Sequence, residues 1–206
     1  MKNDPIKNNL IESYNHHAHE REGNQLEDWK LENRSDFLSL LQQEGKQSLL
    51  EIGAGTGKDS LFFQENGMHV TCIDLSPEMV ALCRQKGLNA QVMDMADLKF
   101  SENSFDVVYA FNSLLHISTA ELPLVLKNIQ RVLKPNGLFH FGTYGNEIEF
   151  EGIWEKDAYT PKRFFSLRSD EHLKQITKQY FELFSFKRLT FNGEDTHFQR
   201  LILRKP

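Results

Sequence analysis

Five short apolar runs recur through the middle of the chain: SLLEI (48–52), HVTCI (69–73), AQVM (90–93), FDVVYA (105–110) and GLFHFGT (137–143). Each has strand length, and stretches with helical spacing lie near 58–66, 77–86 and 119–133. Alternating strands and helices predict βαβ units, a parallel sheet covered on both faces, and right-handed crossovers. Local chemistry marks the helix boundaries. Ser76 followed by Pro77 supplies an N-cap and a first-turn residue whose missing N–H costs nothing. Ser118 with Glu121 has capping-box spacing, while Pro123 moves the expected start of that helix somewhat later. The run KPNG (134–137) predicts a turn between that helix and the fifth strand.

The flanks behave differently. Residues 7–43 are polar with helical spacing and a breaker near Gly23. Residues 144–168 are aromatic and charged without clear periodicity, which reads as an insertion or lid. Ser169, with Asp170 and Glu171 in the turn that follows, predicts a helix running to about Gln179. The runs LFSFKRLTF (183–191) and HFQRLILR (197–204), separated by NGED, predict an antiparallel hairpin.

Composition narrows the partners. The 206 residues suffice for one sizeable core, and a formal charge of −5 from 24 basic and 29 acidic residues argues against a nucleic-acid partner. No apolar run reaches membrane-spanning length, and MKNDPIKNNLIESYNHHAHE lacks the apolar segment of a secretory signal, so a soluble, cytoplasmic protein without a membrane partner is expected. Cys72 sits in an apolar strand and Cys83 in a helical pattern, both reading as small core hydrophobes. His16, His17 and His19, with Glu20, lie in a polar helical stretch and read as a solvated face; no metal site is expected. His140, inside a strand, reads as a core histidine.

Candidate chemistry gathers at one sheet edge. Behind the first strand, LLEIGAGTGKDS places Gly53, Gly55 and Gly57 at alternate positions, as in a loop wrapped against a ligand. Glu51, Asp74 and Asp94 fall at the carboxyl ends of the first three strands, the edge where open α/β sheets bind ligands. An acid after the second strand suits a ribose hydroxyl pair, so a ribose-bearing cofactor is expected at Asp74. Leu75 and Met95 flank these acids and suit an adenine ring, with Asp94 accepting from its amino group. Asp97 reads as a turn residue. A nicotinamide fingerprint needs a third glycine where Lys58 stands.

Five motifs in order, LLEIGAGTGKDS, VTCIDLSPEMV, QVMDMADLKF, FDVVYAFNSLLHI and IQRVLKPNGLFHFGTYG, resemble the class I S-adenosylmethionine-dependent methyltransferases over roughly residues 47–145. The resemblance implies an α/β, Rossmann-like seven-stranded sheet of order 3-2-1-4-5-7-6, mostly parallel with strand 7 antiparallel and helices on both faces. It implies S-adenosyl-L-methionine as cofactor and S-adenosyl-L-homocysteine as product. Glu51, Gly53, Ala54, Gly55 and Gly57 would lie along the methionine part, Asp74 on the ribose, and Asp94 with Met95 on the adenine. Leu75, Met79, Ala96 and Phe111 complete the implied cofactor set. The expected organisation is one domain over 1–206: a helical cover (1–45), a cofactor-binding core (46–143), an insertion over the active site (144–168), and a last helix with a hairpin (169–206).

The sulfonium cofactor supplies the reactive methyl, which leaves the protein to align a nucleophile and exclude water; a base is optional. His116, after the fourth strand, and Tyr14, in the cover, are the catalytic candidates. The cover, with Trp29 and Arg34 nearby, resembles the short helical cover of many small-molecule methyltransferases, and residues 1–30 are expected to close on ligand. The acceptor pocket is expected between Asn112–His116 and the aromatic insertion, with Asn112, Tyr144, Trp154 and Arg163 as substrate candidates. Phe164 and Phe165 read as packing residues. The Arg163 guanidinium needs either an acid of the fold or an anionic group of the substrate. The expected partner is a small-molecule substrate, and the expected state a monomer or homodimer. Two rival readings are an NAD-dependent oxidoreductase and a non-catalytic, cofactor-binding regulatory protein; the intact Glu51, Asp74 and Asp94 weigh against the second.

Overall fold

The computed structural model describes residues 4–191 and 196–206. Three helices come first, α1 (Pro5–His16), α2 (Ala18–Gly23) and α3 (Asp28–Gln43). The alternating elements follow: β1 (Ser48–Ile52), α4 (Lys58–Glu65), β2 (His69–Asp74), α5 (Pro77–Gln85), β3 (Asn89–Val92), β4 (Phe105–Phe111), α6 (Leu122–Val132) and β5 (Leu133–Asn146). The chain continues through β6 (Phe150–Ile153), β7 (Phe164–Leu167), α7 (Asp170–Thr177), β8 (Glu182–Thr190) and β9 (Thr196–Arg204).

Seven strands form one sheet in the order β3-β2-β1-β4-β5-β9-β8. The first five pair in parallel, and β9 runs antiparallel to both β5 and β8. Counting β8 and β9 as the sixth and seventh strands, this is the 3-2-1-4-5-7-6 order expected from the motifs. The NGED segment expected to turn the last hairpin lies outside the described residues.

Strand alternation explains why helices cover both faces. Leu50, Ile52, Val108, Ala110, Phe139 and Phe141 point to one side and are buried with Val125, Leu126 and Ile129 of α6. Leu49, Val107, Tyr109 and Leu138 point to the other and pack with Phe37 and Leu41 of α3 and Phe63 of α4. Cys72 and Cys83 are buried free thiols in a smaller apolar cluster under α5. His140 is fully buried beside Phe37, its Nε2 3.2 Å from Asn33 Nδ2. Burial lowers its pKa to about 3.

Two expectations are revised. The KPNG turn does not precede β5 but lies within it, as a bulge: Leu133 pairs with Phe105 and Leu138 with Val107, and Asn136 between them takes φ +59°. Helix α6 begins at Leu122, later than residue 119 as Pro123 implied, with Pro123 in its first turn where a missing N–H is harmless; Ser118 is not its N-cap, and its Oγ accepts from Glu121 N, 3.2 Å, in the turn before it. The insertion holds β6 and β7, which pair as an antiparallel two-stranded sheet of their own.

Candidate functional site

A cavity of about 290 Å³ lies over the carboxyl ends of β1, β2 and β4, where the strand order reverses. Its floor is the loop from Glu51 to Asp59, joined by Asp74 and Leu75 after β2, Met93 and Met95 after β3, and Asn112, Ser113 and His116 after β4. Its roof is Leu10, Ile11 and Tyr14 of α1, with Arg21 and Asn24 to Leu26 behind them.

The glycine loop is fixed largely by its own protein. Gly53 and Ala54 N–H both donate to Ile73 O, at 2.8 and 3.0 Å. Gly53 takes φ +70°, and a Cβ there would stand 2.3 Å from Ser113 Cβ; at Gly57, φ +80°, a Cβ would stand 2.7 Å from Leu88 Cδ1. Both glycines are therefore demanded by left-handed backbone and internal packing. Gly55 differs, since a Cβ there would meet nothing within 4 Å, and its N–H donates to Asp74 Oδ2 at 2.8 Å.

The three acids have three different situations. Asp74 Oδ1 accepts from Ser76 N at 2.9 Å; burial raises its pKa against the pull of the Ser76 and Gly55 donors. Glu51 is 3% exposed and accepts from the Ser60 hydroxyl. Burial, with Asp59 beside it, pushes its carboxyl well above the usual range. Asp94 lies outside the cavity lining: Oδ1 accepts from Ala96 N at 2.8 Å and Oδ2 pairs with Lys7 Nζ of α1 at 2.9 Å. Lys7 also binds Glu121 at 2.6 Å; burial works to lower its pKa, but the bonds to Glu121 and Asp94 outweigh it and leave it raised.

Over the roof edge, Tyr14 Oη lies 2.7 Å from His116 Nε2, and His116 Nδ1 lies 2.7 Å from Phe164 O. A carbonyl only accepts, so Nδ1 carries the imidazole proton and Nε2 accepts from the Tyr14 hydroxyl. Burial lowers the His116 pKa to about 3, with Arg163 and Arg21 acting in the same direction, while burial raises the pKa of the Tyr14 phenol.

Residues 50–141 match the family model described as a methyltransferase domain. Over that segment the chain is a class I S-adenosylmethionine-dependent methyltransferase domain. It is 32% identical over 157 residues to a phosphoethanolamine N-methyltransferase of Triticum aestivum, a match covering 71% of this chain and 30% of that enzyme. The chain spans less than a third of the length of such plant relatives. Among solved structures, a Burkholderia thailandensis 1,6-didemethyltoxoflavin-N1-methyltransferase, with bound 1,6-didemethyltoxoflavin and S-adenosylhomocysteine, aligns with TM-score 0.71 and 22% identity. That alignment covers 97% of this chain and 87% of the other. The N-methyltransferase NodS of Bradyrhizobium japonicum WM9, in complex with S-adenosyl-L-homocysteine, aligns with TM-score 0.69 and 14% identity over 94% of this chain and 99% of its own.

Within this methyltransferase fold, the cavity gathers Glu51, Gly53, Ala54, Gly55, Asp74, Leu75, Met95, Phe111, Asn112, His116 and Tyr14 from the candidates named in the sequence. Gly57, Met79, Asp94 and Ala96 lie outside its lining; Met79 is fully buried against Ala18 and Leu82. Tyr144, Trp154 and Arg163 also lie outside. The Tyr144 ring packs near Phe198, Trp154 edge-on against Phe150, and Arg163 is paired to Asp157. Of the N-terminal histidines, His16 Nδ1 sits 3.3 Å from Thr160 O and His17 against Tyr159. Lys7 and Arg21 went unread; Lys7, Leu10, Ile11 and Tyr14 recur at helical spacing on one face of α1, a signal available in the sequence.

Proposed function

We propose that this domain transfers a methyl group from S-adenosylmethionine to a small-molecule acceptor. The observation that carries the reading is a cavity closed between the glycine loop on one side and the Tyr14–His116 pair on the other. Two buried polar atoms on its wall, Asn112 Oδ1 and Ser113 Oγ, have no hydrogen-bond partner among the described residues, as expected of a surface completed by a ligand. Gly55 leaves the space, Asp74 offers a carboxylate, and Leu75 and Met95 supply apolar walls, so the residues present fit the cofactor. When bound, that cofactor supplies an electrophilic methyl on a sulfonium.

The chain's own groups do the rest. The roof, with Leu10, Ile11 and Leu26, excludes water. The Tyr14 hydroxyl donates to His116 Nε2 and accepts from Arg163 Nη1, which fixes the phenol as a polar edge of the acceptor side. With its pKa near 3, His116 is neutral at working pH and orients Tyr14 more than it competes for a proton. That favours an acceptor whose nucleophilic atom is already unprotonated, and the N-methyltransferase names of the relatives make a nitrogen acceptor the first class to test.

Calorimetry on the full chain should show S-adenosylhomocysteine binding, weakened about tenfold or more by Asp74→Ala through loss of charge-assisted bonds. Incubation with methyl-labelled donor and a panel of ethanolamine phosphate and heterocyclic amines should give labelled product. Binding of NAD in place of S-adenosylhomocysteine would point to the oxidoreductase, and cofactor binding with no product from any metabolite pool to a regulatory protein.

A further inference from the structure

Arg163 stands outside the cavity, yet one arm of its guanidinium reaches the cavity wall. Its Nε and Nη2 donate to Asp157 Oδ2 and Oδ1, each at 2.8 Å, and its backbone N–H donates to Oδ2 at 3.0 Å. The Asp157 side chain is only 4% exposed, and the guanidinium lies 3.8 Å from the Tyr159 ring centroid. A fork clamped this way has little freedom. The remaining arm, Nη1, donates to the Tyr14 hydroxyl at 3.0 Å.

A guanidinium has no acceptor atom, so Tyr14 Oη must receive that bond and send its own proton elsewhere. His116 Nε2 is 2.7 Å away and its lone pair is free, because Nδ1 spends its proton on Phe164 O. Three hydrogen bonds therefore point in one direction, from Arg163 through Tyr14 and His116 to β7. The same inserted hairpin holds the His116 loop a second time: Arg168 Nη2 donates to Ile117 O at 2.6 Å, and Glu151 accepts from Thr119 N at 2.8 Å. We propose that Arg163, clamped by Asp157, is a positioning residue that fixes the Tyr14 hydroxyl as donor to His116 and so ties the inserted hairpin to the acceptor side of the cavity. This rests on the placement of Tyr14 and His116 at the acceptor proposed above. It also gives the guanidinium its partner within the fold, without an anionic group of the substrate.

The test is NMR of the full chain labelled with ¹⁵N-histidine, with His116→Gln assigning the His116 signals. Wild type should show the neutral Nδ1–H tautomer with a hydrogen-bonded Nε2, and Tyr14→Phe should abolish that bond. Arg163→Met should reproduce the loss seen in Tyr14→Phe while its circular dichroism stays that of wild type; Arg163→Lys should restore it in part. Asp157→Asn keeps the guanidinium but weakens its clamp, and should move Nε2 the same way by less; it decides the matter should Arg163→Met not fold. A wild-type Nε2 signal in a folded Arg163→Met, or in Asp157→Asn where that variant decides, overturns the proposal. Calorimetry with S-adenosylhomocysteine on the same samples keeps the two readings apart. Failure of wild type to bind sinks the methyltransferase reading alone, and an unmoved Nε2 with intact binding sinks the positioning role alone.

Discussion

Beneath the cavity, β1 and β4 bury Leu49, Leu50, Val107 and Val108 completely between helices on both faces; above it, α1 buries only Leu10 and Ser13 among its own residues. The roof is fastened instead by side-chain polar bonds. Lys7 reaches Asp94 and Glu121, Lys86 reaches Glu22 at 2.7 Å, Lys58 donates to Arg21 O at 2.9 Å, and Ser76 Oγ donates to Asn15 Oδ1 at 2.6 Å. A buried aliphatic side chain contributes about 1.5–3 kcal/mol and is indifferent to salt, whereas a partly exposed ion pair contributes about 0–1 kcal/mol and is screened. The roof is therefore expected to open at lower cost than the floor, which hydrogen exchange across α1 with and without S-adenosylhomocysteine would check.

The largest expected effect strikes the floor's support. Leu126→Ala removes a fully buried side chain of α6 from the core on one sheet face and should cost about 2–5 kcal/mol in denaturant unfolding. A loss comparable to that of a roof substitution would erase the contrast. Gly53→Ala should follow at about 1–3 kcal/mol, because φ +70° strains any side chain and the new Cβ would collide with Ser113; unfolding and S-adenosylhomocysteine affinity should fall together. Smallest is Lys7→Met, expected to change global stability by less than about 1 kcal/mol while hydrogen exchange quickens across α1. About 0.5 M salt should quicken it in wild type too. Because the folded Lys7 pKa is raised, its contribution is present in full below the unfolded value of about 10.4 and is lost as pH rises through the folded one. Acidifying toward neutrality should thus leave α1 protection unchanged where salt does not.

The strands of the core were legible because each is a short apolar run with a turn signal behind it, and Ser76–Pro77 and Ser169 announced their helices with local bonds that the structure contains. The bulge at Lys134–Gly137 was read as a turn because its sequence is that of a turn; pairing to Phe105 on one side and Val107 on the other is a tertiary fact. The glycines illustrate the same limit within the candidate site. Their spacing marks a loop of unusual backbone, but Gly53 and Gly57 are held by Ser113, Cys83 and Leu88, residues remote in sequence, and Gly55 alone of the three faces open space. Asp94 was readable as an acid at a strand end, whereas its bond to Lys7, 87 residues away, was not. Arg163 was readable as a charge in need of a partner, with an acid of the fold one of two choices; that Asp157 fills it followed only from the turn between β6 and β7.

The span of these contacts along the chain bears on the order in which the molecule comes together. Gly55 meets Asp74 across 19 residues, while Lys7 meets Glu121 across 114, Tyr14 meets His116 across 102, and Arg163 meets Tyr14 across 149. Closing a longer loop costs more chain entropy, and contacts of high sequence separation slow folding. On a ribosome, α1 emerges before every partner that fastens it, and the last of them, Arg163, arrives only with the inserted hairpin. The glycine loop and its acid thus have a structure to settle into well before the Tyr14 hydroxyl has its two neighbours. Refolding followed by a probe on α1 should lag one placed on β1.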